Sequence, residues 1–190
     1  MLYNTVNGID DLIDDFSMPH FLDTCMAFVE AIVPWTPRLA AEYGEIQYPG
    51  AVDALTYEYL VLSLYELGNV ALLKSTVKTL DMAARELVIS GGNEFSMDIM
   101  GGRTINFAAL VPSDRLAALN ILKQQELSSY NSPMFTNKYV VDLLVKMTMM
   151  GYYSEWFGYG STRLDEPDQR IFEFMPFSWQ QVSYPGVDRD

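Results

Sequence analysis

The sequence predicts an all-α protein, an irregular helical bundle that ends in an extended tail rich in aromatic residues, glycine and proline. Apolar residues recur at helical spacing in several segments, whereas no segment alternates polar and apolar residues between hairpin turns. Residues 152–190 hold ten of the 25 aromatic residues among several glycines and prolines. Such a stretch cannot form one long helix, so its rings must pack against another element or another protein.

Length and composition fit one domain that spans residues 1–190. The chain is 49% hydrophobic, and a chain of this length buries about 70% of the surface that it exposes when unfolded. Its formal net charge is −13 and it has no basic stripe, so it would repel the phosphates of a nucleic acid. No apolar run reaches the ~18 residues that indicate a membrane span. These features argue against a nucleic-acid partner and against a direct membrane span.

The chain is expected to open with an acidic lead-in, residues 1–16, followed by a helical body over residues 17–150. Ser17 is placed to cap the first helix, and Pro19 is tolerated in its first turn. Pro34 marks the end of this helix, because proline cannot continue it.

Two separate helices are predicted next, with a break at Gly68. Residues 51–67 are apolar on nearly every face, which indicates a central helix covered by neighbours all round. Asn69 is placed to cap a second, amphipathic helix over residues 69–89.

Two more helices complete the predicted body. Pro112 opens one that runs to about Leu127. Ser132 and Pro133 open another that runs to about Met150. The tail then occupies residues 151–190.

The sequence offers few residues for catalysis or for holding a cofactor. The single histidine, His20, lies in the first turn of a helix, where a capping or surface role is favoured over metal ligation. The single cysteine, Cys25, lies among apolar residues and is predicted to be a buried small hydrophobe. Gly158-x-Gly160 lacks the third glycine of a dinucleotide-binding loop. We therefore predict no catalytic, cofactor-binding or metal-ligating residue in this chain.

The aromatic rings of the tail leave three possibilities open. They can cover the end of the chain's own bundle, anchor a protein interface, or stack on sugars as in a carbohydrate-binding module. Buried Trp and Tyr at an interface each contribute about 2–4 kcal/mol to binding. The predicted interface residues are Tyr152, Tyr153, Trp156, Phe157, Tyr159, Trp179, Tyr184 and Pro185, and the glycines predicted to shape the backbone beneath them are Gly151, Gly158, Gly160 and Gly186.

Four segments, in this order, carry a resemblance to a known family. They are FVEAIVPWTP at residues 28–37, TLDMAAREL at residues 79–87, FAALVPSDRLAAL at residues 107–119 and GYYSEWFGYGSTR at residues 151–163. With the later Trp179 and Tyr184-Pro185-Gly186 they span most of the chain. The chain resembles the small, or gamma, subunit family of gluconate 2-dehydrogenase and other FAD-dependent sugar dehydrogenases.

This resemblance implies a helical subunit that is not itself catalytic. Such subunits pair with a large flavoprotein of the glucose-methanol-choline (GMC) oxidoreductase type, which holds FAD and oxidises a sugar, sugar acid or polyol. The small subunit stabilises that partner in a chaperone-like way, as half of a heterodimer. On this interpretation the present chain binds no cofactor, and its tail is the main contact with the flavoprotein.

The chain differs from that family in two places. Residues 164–178 form an acidic, aromatic insert that is longer than expected. The opening residues also have no basic start followed by an apolar core, so no secretory signal is predicted, which suggests a cytoplasmic location. The family resemblance instead implies a periplasmic or membrane-associated location. The alternative function is a stand-alone carbohydrate-binding helical protein that uses the rings of the tail.

Overall fold

The computed structural model describes residues 18–94, 105–128 and 137–186, and across these residues the chain is all-α, as the sequence predicts. The α-helices are α1 (Met18–Ile32), α2 (Pro37–Tyr43), α3 (Thr56–Ile89), α4 (Pro112–Ser128), α5 (Asn137–Tyr153) and α6 (Phe177–Gln181). Two 3-10 turns cover Glu45–Gln47 and Phe157–Thr162. None of the helices in these ranges is both long and apolar enough to cross a membrane.

Helix α3 is the centre of the bundle, and α1, α4 and α5 all pack against it. Side chains buried along its length include Leu60, Leu64, Val77 and Leu80. The three surrounding helices also meet one another. The core is therefore a single apolar cluster organised around one helix.

The predicted break at Gly68 is wrong, because α3 is one continuous helix of 34 residues. A glycine inside a helix costs only about 1 kcal/mol, and burial of apolar side chains on both sides of Gly68 exceeds that cost. The prediction that neighbours cover residues 51–67 on all sides is also wrong, since Leu67 is 62% exposed. Residues 51–55 form a turn before α3. The turn ends at Leu55, whose φ is 53°.

The outer helices follow the sequence patterns closely. Helix α1 ends at Ile32, two residues before Pro34, and buries Cys25 as predicted. Ser17 lies outside the described residues, as do Ser132 and Pro133, so the predicted starts of α1 and α5 are untested there. Helix α4 runs from Pro112 to Ser128, close to the predicted range.

Helix α5 extends to Tyr153, so the first three residues of the predicted tail are helical. At Gly151 it lies very close to α3, because a Cβ there would stand 2.6 Å from Cδ1 of Tyr59. The tail beyond α5 then folds back on the body. Helix α6 packs against both α5 and the Glu45–Gln47 turn.

The segment between α1 and α3 doubles back on itself and is pinned by backbone hydrogen bonds. Thr36 N donates to Tyr48 O at 3.1 Å, and Ala51 N donates to Val33 O at 2.9 Å. Gly50 lies where the two runs of backbone are closest. A Cβ there would lie 2.7 Å from backbone atoms of residues 33, 34 and 35.

We expect Gly50→Ala to lower the free energy of unfolding by about 1–3 kcal/mol, because the added methyl group meets backbone that cannot rotate aside. Chemical denaturation followed by circular dichroism measures this change.

The matched control is Gly92→Ala. There the nearest atom to an added Cβ is the end of the flexible Leu87 side chain, at 3.0 Å. A Gly50→Ala protein as stable as this control would contradict the packing described here.

Candidate protein-interaction surface

Trp156 attaches the tail to the beginning of α3. Its ring is 2% exposed and meets Tyr59 edge-on, with ring centroids 5.5 Å apart. Its indole Nε1 donates a hydrogen bond to Leu55 O at 3.0 Å. Leu55 is the residue with positive φ just before α3, so this bond ties the tail to the turn that starts the central helix.

Trp179 forms the second attachment, on α6. The ring is 7% exposed, and its Nε1 donates to Tyr153 O at the end of α5, at 2.9 Å. Phe172 and Tyr184 flank the ring at centroid distances of 5.9 and 5.0 Å. Residues on both sides of α6 are thereby gathered around one buried indole.

Tyr152 and Gln181 connect the tail to the segment before α3. The Tyr152 hydroxyl lies 2.7 Å from Gln181 Oε1 and 3.0 Å from Pro49 O. Gln181 Nε2 donates to Pro49 O and Ile46 O, and Gln47 Nε2 donates to Gln181 O. Burial raises the pKa of Tyr152 to about 12, because a phenolate at this position would lose its hydration.

A charged pair fixes the 3-10 turn of the tail on α3. Arg163 Nε and Nη2 donate to the two carboxylate oxygens of Glu58 at 2.6 and 3.0 Å, while Nη1 donates to Gly160 O at 2.6 Å. Hydrogen bonding to Glu58 raises the pKa of Arg163 above its ordinary value. This bidentate geometry orients the turn as well as holding it. The Arg170 guanidinium lies 5.7 Å from the Trp156 ring, on the same part of the tail.

The predicted interface residues fall into three groups. Tyr152, Trp156 and Trp179 are buried in the chain itself, and Phe157 and Tyr159 are half-buried. The exposed members are Tyr153, Tyr184 and Pro185. The buried rings therefore belong to the chain's own packing in this conformation, which is the first of the three possibilities left open by the sequence. Contact with a partner stays a prediction.

The glycines predicted to shape the backbone lie at close or unusual points of the chain. Gly160 and Gly186 have φ of 51° and 92°. Gly158 is pressed against Phe172, since a Cβ there would lie 2.5 Å from its ring. Gly151 is the residue at which α5 lies very close to Tyr59 of α3.

Sequence reasoning missed the exposed side chains of Phe174, Met175 and Val182, because the residue types alone do not distinguish them from core residues. We define the tail surface as Tyr153, Phe174, Met175, Val182 and Tyr184, which are between 38% and 60% exposed. Buried and half-buried rings pack beneath this surface. Tyr184 packs on Trp179, and Phe174 packs on Phe157, which stacks on Phe177 at 4.3 Å.

His20 is half-buried and joins α1 to α3. Its Nε2 lies 2.9 Å from Asp81 Oδ2, and Asp81 Oδ1 accepts a hydrogen bond from Phe107 N. Burial raises the pKa of the Cys25 thiol to about 12, so the thiolate is disfavoured. Within residues 18–94, 105–128 and 137–186, no group of three or more histidine, cysteine or carboxylate side chains is arranged to hold a metal ion.

Comparison of the chain with models of known protein families, with curated proteins and with solved structures finds no match.

Glu173 gives the tail a pH dependence that can be tested. Its Oε1 accepts hydrogen bonds from the Ser161 hydroxyl and from Ser161 N, the latter at 3.0 Å. These bonds hold the pKa of Glu173 below its usual value of 4.5. A lowered pKa in the folded state means that this contact stabilises the tail above pH 4.5 and is lost as the pH falls through the folded-state pKa.

We expect the Ser161 amide signal in NMR spectra to titrate with a midpoint below 4.5 and to lose this titration in Glu173→Gln, whose amide oxygen accepts the bonds but carries no charge. Glu42→Gln, an exposed substitution on α2, should leave it unchanged. A midpoint at or above 4.5 in the unsubstituted chain would contradict the assigned bonds.

Proposed function

We propose that this chain is a non-catalytic accessory subunit that binds and stabilises the FAD-containing, GMC-type subunit of a sugar, sugar-acid or polyol oxidoreductase. The observation that carries the proposal is the tail surface, a set of exposed apolar side chains held on a fixed base. The class of partner comes from the family resemblance of the four segments described above.

The exposed apolar area of these side chains favours binding to a partner. Clustered exposed apolar side chains mark interaction sites more often than chance, and aromatic residues and methionine are enriched at interfaces. Four of the five members of the tail surface are of these types. Covering them with a partner removes apolar area from water, at about 25 cal/mol per Å².

The fixed conformation of the tail lowers the entropic cost of binding a partner. Trp156, Trp179 and the Arg163–Glu58 pair fix the tail before any partner arrives. Binding then does not have to order the segment, and this cost otherwise subtracts from affinity. A tail held in this way supports a specific heterodimer better than a free arm would.

A test of partner binding needs substitutions at exposed residues, because substitutions of the buried rings also change stability. Truncating Trp156 or Trp179 removes buried packing, so loss of binding in those variants would report unfolding as well as contact. Val182 and Tyr184 are 60% and 43% exposed and are better probes. Their matched control is Ile89, which is 81% exposed at the far end of α3.

We expect affinity-tagged chain recovered from its native source to co-purify with a protein that has the absorption spectrum of bound flavin. The double variant Val182→Ser/Tyr184→Ser should weaken this association by about 2 kcal/mol, or roughly 30-fold. Ile89→Ser should not weaken it. Thermal unfolding of each isolated variant separates lost contact from lost stability.

Two results would count against the proposal. If no flavoprotein co-purifies with the unsubstituted chain, the proposed function is wrong. If the flavoprotein is retained equally by the double variant and the control, the tail surface is not the contact.

A further inference from the structure

A small cavity lies beside the doubled-back segment between α1 and α3. Its volume is about 210 Å³. We define the aromatic–acidic pocket as the residues that line it, namely Glu30, Val33, Trp35, Tyr48, Gly50, Val52 and Asp53. Two rings and two carboxylates thus share one small cavity, a combination that is typical of sites for positively charged organic groups.

The two aromatic rings are exposed rather than packed into the core. Trp35 and Tyr48 are 49% and 43% exposed. Their centroids are 5.5 Å apart and their planes are inclined by 53°. Tilted rings of this kind leave aromatic surface uncovered, and the face of an aromatic ring carries the negative part of its quadrupole.

The backbone beneath the rings is fixed in advance. Thr36 N donates to Tyr48 O, and the Thr36 hydroxyl donates to Gln47 O. Gly50 permits the close approach of the two backbone runs that carry the rings. A ligand would therefore meet a preformed pair of rings, which reduces the entropic cost of binding.

Among the residues that the structure describes, one of the two carboxylates of the pocket has no ion-pair partner. Glu30 pairs with Arg115, whose Nη1 donates to Glu30 Oε2. Asp53 Oδ2 accepts a hydrogen bond from Gly50 N at 2.8 Å, but no lysine or arginine of the described ranges forms an ion pair with it. One carboxylate beside two open ring faces matches a ligand with a single positive charge.

We propose that the aromatic–acidic pocket binds an organic monocation, an alkylammonium or guanidinium group, against the exposed surfaces of the Trp35 and Tyr48 rings and beside Asp53. Either a free small molecule or a lysine or arginine side chain of another protein supplies this chemistry. The proposal is independent of the flavoprotein partner, and its test uses the isolated full-length chain.

The indole N–H signal of Trp35 can report binding to the pocket directly. The chain has three tryptophans, and the other two, Trp156 and Trp179, are buried with their indole N–H groups bonded to carbonyl oxygens. A titration with n-butylammonium or n-butylguanidinium at constant ionic strength should shift the Trp35 indole N–H signal in NMR spectra saturably, and leave the other two in place. Neutral n-butanol is the control for apolar contact.

Two variants separate charge from ring contact. Asp53→Asn keeps an acceptor for Gly50 N but removes the charge, and Tyr48→Leu removes one ring while Trp35 still reports. Each is expected to lower the association constant by about tenfold. Circular dichroism checks that both variants keep the helical content of the unsubstituted chain, and if Tyr48→Leu does not fold, Asp53→Asn alone decides.

Peptides identify the source of the cation. A short glycine peptide with one central lysine and blocked ends is compared with the same peptide carrying glutamine. Lysine-dependent binding as strong as that of n-butylammonium supports a protein side chain as the ligand, and binding of the small cations alone supports a free metabolite. The proposal is overturned if no saturable shift of Trp35 occurs, if n-butanol or glucose produces the same shift, or if folded Asp53→Asn binds the cations unchanged.

Discussion

The arrangement of the tail depends on two hydrogen bonds from indole N–H groups to backbone carbonyls, Trp156 to Leu55 and Trp179 to Tyr153. Each bond satisfies a polar atom that becomes buried when its ring packs into the protein. An unpaired polar group in such a place costs about 1–3 kcal/mol. Large apolar rings can therefore be buried against the ends of α3 and α5 with their one polar atom satisfied, and the remaining tail residues are positioned by them.

Gln181 links this tail to the segment that carries the aromatic–acidic pocket. Its side chain bonds Pro49 and Ile46, and Gln47 bonds its backbone. The tail surface and the pocket consequently rest on a shared base, although they present different chemistry. The first is apolar and suited to a broad protein contact, and the second combines ring faces with a carboxylate and is suited to a single cationic group.

The sequence predicts the class of fold and much of its outline because helix periodicity and proline positions are local signals. They predicted the end of α1 near Pro34 and the extent of α4 from Pro112. They failed at Gly68, where packing along the whole of α3 outweighs a local preference. They also gave no sign that His20 pairs with Asp81, which is distant in sequence and adjacent only in the folded chain.

The candidate surfaces were harder to predict because a ring has the same identity whether it is buried or exposed. The sequence marked the tail as aromatic but gave no way to assign Trp156 and Trp179 to the interior and Val182 and Phe174 to the exterior. The pocket was missed for a related reason. Trp35 and Tyr48 come together only because Gly50 lets two backbone runs meet.

Hydrogen–deuterium exchange on the isolated chain tests the central claim that the tail is fixed by its own buried rings. The amides of Glu173 and Tyr184, which donate to Gly158 O and Trp179 O, should exchange slowly in the unsubstituted chain and rapidly in Trp179→Ala. Exchange of both amides at the rate of an unstructured peptide in the unsubstituted chain would contradict the account.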